Sequence, residues 1–120
     1  MLQQPIGLSS HNRAMFHQMF DTWARELAPD HAEAKPADFA SYRANLFDGE
    51  FVFSTTRTEV QALSVPLLVL MGNDDYHPSA TSREVVELAP SATLIERWKE
   101  PEVVPEIVQR VRSFLSAHTP

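Results

Sequence analysis

The segment Gly72-Asn73-Asp74-Asp75-Tyr76-His77-Pro78 puts two carboxylates and an imidazole within four residues. These are groups that proton transfer and metal binding both use. A metal site, however, draws its ligands from more than one cluster, and the sequence offers no second cluster. An acid here can also cap the following helix or accept turn N–H groups, and His77 equally suits a polar loop beside a sheet edge. Asp74 and Asp75 are the candidate catalytic acids, and the residues alone do not choose between them. The other histidines lack ligand spacing. His11 and His17 are six residues apart and do not share a helix face, and His31 and His118 fall in a loop and a tail.

The acid segment follows Leu67-Leu68-Val69-Leu70-Met71, a short, continuous apolar run between Pro66 and Gly72. Such a run reads as a strand buried on both faces. In open α/β sheets ligands bind at the C-terminal ends of parallel strands, which is where Asp74 and Asp75 would stand. The pattern predicts a helix over 79–89, a second strand over 92–97 and a last helix over 101–117. The apolar face of that last helix is Val103, Val104, Ile107, Val108, Val111, Phe114 and Leu115. A right-handed crossover makes the two strands of this βαβα unit parallel. Two parallel strands cannot cover both faces and both edges by themselves. The expectation is therefore a missing N-terminal core, or a homodimer formed through the exposed strand edge.

The first half reads as helical. Ser10 or Asn12 can cap a helix carrying Met15, Phe16, Met19, Phe20, Trp23 and Leu27, which Pro29 ends. Pro36 opens a second helix, with Phe39, Tyr42, Leu46 and Phe47 apolar and Asp48-Gly49 closing it. A short helix is expected over 56–63. The division is thus 1–63, helical, and 64–120, βαβα.

The 120 residues suit one domain, and 43% hydrophobic with 22% charged residues is globular composition. Ten Lys and Arg against sixteen Asp and Glu give a net charge of −6, with no basic run, so nucleic-acid binding is not expected. The absence of cysteine excludes disulfides, thiolate metal sites and cysteine nucleophiles. Gly7, Gly49 and Gly72 are too far apart for a phosphate-cradling loop. No apolar run reaches the ~20 residues of a membrane span, and the N-terminus lacks signal-peptide character. The expectations are a cytoplasmic location, no membrane, no metal and no cofactor.

Residues 64–116 resemble the C-terminal end of the α/β-hydrolase fold. Val65 to Asp75 looks like the late strand and the loop bearing the acid of a Ser–Asp–His triad. Pro78 and the helix after it continue the pattern, 92–97 matches the last strand, and 101–115 matches the final helix. Counting from Gly72 favours Asp75 as the acid, and counting back from Pro78 favours Asp74. The resemblance implies that the helical first half is a cap over an active site, and that Met1 to Gly7 is the tail of the preceding strand. In that cap Met15, Met19 and Trp23, together with His77, are candidate substrate-binding residues, since flexible Met and flat aromatic side chains suit an irregular apolar ligand. The same stripe also suits plain helix packing.

Two departures accompany the match. No G-x-S-x-G nucleophile elbow occurs. The family's base follows the last strand, yet Ile95-Glu96-Arg97-Trp98-Lys99-Glu100-Pro101 holds no histidine. Trp98 can fill that gap. The resemblance implies a parent that hydrolyses a small apolar or ester-like substrate, at an acyl or carbon–carbon bond. This chain alone is expected to be inactive. The alternative is a non-catalytic relative that binds a ligand or dimerises.

Overall fold

A computed structural model describes residues 1–119. It is α/β, with three parallel strands and five α-helices among these residues. The order is β1 (Leu2–Gln3), α1 (Arg13–Leu27), a 3-10 turn (Ala28–Asp30), α2 (Pro36–Phe47), α3 (Arg57–Gln61), β2 (Leu67–Leu70), α4 (Ser79–Leu88), β3 (Ala92–Ile95) and α5 (Val104–His118). Contacts divide the chain into two units. One is Gly7–Thr56, and the other joins Met1–Ile6 to the chain from Arg57 onward.

The sheet unit is built on β2, the middle strand in the order β1-β2-β3. Leu67 to Leu70 pair in parallel with Ala92 to Ile95, and Leu2 and Gln3 pair in parallel with Val69 and Leu70. Successive strand side chains face opposite ways. Leu68 and Leu70 pack with Ile95 of β3 and Ile107 of α5, while Val69 between them is also fully buried. Both faces of β2 are therefore covered, as its unbroken apolar sequence requires. α4 packs on β2 and β3 and buries Ser82 and Val85, which share one helical face. Gln4, with φ 46°, adopts a left-handed conformation that ends β1 while its N–H still donates to the Leu70 carbonyl at 2.9 Å.

The helical unit is held by aromatic rings. Phe16 of α1 stacks on Phe47 of α2 with centroids 5.2 Å apart, and Phe20 meets Phe47 and Tyr42 edge-on. Phe16, Phe20 and Ala24 are the buried stripe of α1. Met19 and Trp23, expected on the same face, remain 53% and 43% exposed. They flank a stripe that a single partner helix covers. Asn12 precedes α1, but its side chain turns away from the helix N–H groups. It accepts from Ser9 N–H at 2.9 Å and donates to the Gly7 carbonyl at 2.7 Å. At α2 the Lys35 N–H donates to the Asp38 carboxylate at 2.8 Å, tying down the first turn.

Candidate functional site

Leaving β2, the chain enters Gly72, whose N–H donates to the buried Ser82 hydroxyl of α4 at 3.1 Å. The loop then doubles back. A Cβ on Gly72 would overlap the His77 carbonyl oxygen and its Cβ, so only glycine fits this approach. Asp74 Oδ1 accepts three donors: Tyr76 N–H at 3.0 Å, His77 N–H at 2.8 Å and His77 Nδ1–H at 2.8 Å. Pro78 follows, with α4 starting at Ser79.

Asp74 is thus the carboxylate that meets His77, while Asp75 is exposed at the loop surface. Partial burial pushes the Asp74 carboxyl up. The opposing hydrogen bonds from the His77 backbone and ring, the His77 charge and the Tyr76 N–H outweigh it, leaving the group below its ordinary 3.8. The His77 side chain is 30% exposed. Its ring donates from Nδ1 to Asp74, and Nε2 has no hydrogen-bond partner among the described residues.

Beyond β3, Trp98 folds back on the sheet. Its Nε1–H donates to the Met71 carbonyl at 2.8 Å, and its ring packs against the Leu68, Leu70, Ile95 and Ile107 cluster. Lys99 lies over that ring, 5.2 Å from its centroid, and donates from Nζ to Asn73 Oδ1 at 2.9 Å. Met71, Asn73, Trp98, Lys99 and Glu100 help line a cleft of about 240 Å³ at these strand ends. Arg97, which also lines this cleft, pairs with Glu100 and Glu102. Hydrogen bonding to Glu100 raises the Arg97 pKa above its ordinary value.

The candidate substrate-binding residues of the first half lie in the helical unit. Met19 and Trp23, with Gln18, Thr22 and Glu26, border an open groove of about 410 Å³, and Met15 is half-buried elsewhere on α1. A second hollow of about 450 Å³ is lined by Asp21, Ala24, Arg25, Ala28, Ala34, Pro36 and Phe39. Neither groove presents a convergent set of titratable groups.

Three features of the sheet unit escaped the sequence reading: Ser82, the Asn73–Lys99 bond and the Trp98–Met71 bond. Ser82 left a signal, since it shares a helical face with Val85. The two others join residues 26 and 27 positions apart and left none. Among the described residues no cluster of three or more His, Asp and Glu side chains is arranged to hold a metal ion. Nor is any described helix long and apolar enough to cross a membrane. Searches for similar proteins found no matching family model, no matching curated protein and no matching solved structure.

Proposed function

We propose that this chain is the C-terminal portion of an α/β-hydrolase-like protein, with a helical cap-like region before the acid strand, the last strand and the last helix. The parent hydrolyses a small apolar ester, or a related acyl or carbon–carbon bond, in the cytoplasm and without a cofactor. One observation carries the reading: the acid loop Gly72–Pro78 leaves the C-terminal end of the middle strand in an all-parallel sheet. That is where open α/β sheets place their chemistry. The sequence holds no G-x-S-x-G, so the chain by itself is inactive in this reading.

The test is the coding sequence in frame upstream of Met1. Several βα units and a G-x-S-x-G elbow are expected. A stop codon and start signal isolating Met1 would overturn the fragment reading. A direct check is turnover of an activated aryl ester by the purified chain. Robust activity abolished by Asp74→Ala or Asp75→Ala would overturn the inactivity.

Trp98 favours a second reading, a non-catalytic relative that binds a ligand or partner. Its indole is bonded to the Met71 carbonyl in the stretch after the last strand where the resemblance expects a histidine. An upstream elbow would weigh against this alternative.

A further inference from the structure

We propose that His77, oriented by Asp74, is the proton-transfer base of this site, in place of a histidine after the last strand. The inference rests on the hydrolase reading above. Three of the five histidines sit on a carboxylate: His17 on Asp48, His31 on Glu33 and His77 on Asp74. His17 and His31 lie in the helical unit, which contains none of the three strands. His77 alone stands in the loop leaving a parallel strand, with a carboxylate on Nδ1 and an unpartnered Nε2.

The setting is preorganised. Gly72 is pinned to Ser82, and Asp74 Oδ1 holds the backbone of residues 76 and 77 as well as the ring. An ionised carboxylate on Nδ1–H fixes the tautomer whose lone pair is on Nε2, the form a general base needs. Trp98 meanwhile packs against the core in the stretch after β3, and residues 95–101 hold no histidine.

The step balances without a further reagent. Nε2 takes the proton of a hydroxyl nucleophile supplied by the parent as that oxygen bonds to the ester carbonyl carbon, and the carbonyl pair moves onto its oxygen. On collapse the bond to the leaving alcohol breaks, and the imidazolium returns the proton to that oxygen. Asp74 stays ionised throughout and acts as a positioning residue.

The test is the ring-nitrogen NMR spectrum of the 15N-labelled full chain above the histidine titration range. The expected result is neutral His77 protonated on Nδ1 and bare on Nε2. In Asp74→Ala that signature is lost, while the amide spectrum of β2 and β3 reports an intact sheet. Neutral His77 protonated on Nε2 in the unaltered chain would overturn the base assignment and leave the hydrolase reading standing. Diethyl pyrocarbonate, mapped by peptide mass, gives a readout without substitution. An ethoxycarbonyl adduct on His77 supports the assignment. A His77 that stays unmodified while His11 and His118 react overturns it, because Nε2 then cannot reach a carbonyl carbon. An upstream coding sequence without an elbow overturns the hydrolase reading, and the base assignment falls with it, whatever the tautomer.

Discussion

At Gly72 the missing side chain is what lets the acid loop close, because any Cβ there would run into the His77 backbone. Gly72→Ala must therefore push His77 away or distort the strand end. The expected loss is about 1–3 kcal/mol, the usual cost of forcing extra atoms into a packed site, read as a lower urea midpoint. Asp74 yields a pH prediction. Its carboxyl lies below its ordinary value in the folded chain, so the folded state favours the charged form. That contribution is fully present above the ordinary carboxylate range and is lost as pH falls through the depressed value. The stability advantage of the unaltered chain over Asp74→Asn should then shrink as pH falls from the ordinary carboxylate range toward strongly acidic values. Urea unfolding of both at stepped pH checks this, and an advantage that grew as pH fell below the ordinary carboxylate range would contradict it.

At the scale of elements, burial on α5 is one-sided. Ile107 is buried and Val103, Val111 and Phe114 pack partly against the sheet, whereas Val104, Val108 and Leu115 are 41–44% exposed. Leu70→Ala on β2 should cost about 2–5 kcal/mol, since it empties a site closed on every side. Leu115→Ala should stay within about 0.5 kcal/mol, because its neighbour is already water. Chemical denaturation of the pair measures the contrast directly. Similar losses would mean that the outer face of α5 is covered in solution. The same logic separates Phe20 from Trp23 on α1, where both are aromatic and both obey helical spacing, yet Phe20 alone is buried.

At the scale of the molecule, β1 and β3 are the edges of a three-stranded parallel sheet. Parallel sheets normally lie inside larger layers, so these edges are where further strands or a second copy would add. If the chain dimerises through an edge, its melting temperature should rise with protein concentration, because association couples stability to mass action. A cooperative melt independent of concentration over a hundredfold range would remove that alternative and leave the missing-core account.

Much of the architecture was legible because it is written in local pattern. The apolar run before Gly72 made β2, Pro36 opened α2, and helical spacing marked α4 and α5 to within a few residues. The acid loop was legible as a cluster of chemical groups, and so was the absence of a histidine from residues 95–101. Periodicity was silent on β1, since two residues carry no period, and their pairing with Val69 and Leu70 spans more than sixty positions. It could not say which apolar residues of α1 and α5 would stay in water, because that depends on which faces find a neighbour. Nor could it choose between Asp74 and Asp75 as the partner of His77. Adjacent residues in a loop have the same chemistry, and only the turn that brings three donors onto one oxygen separates them.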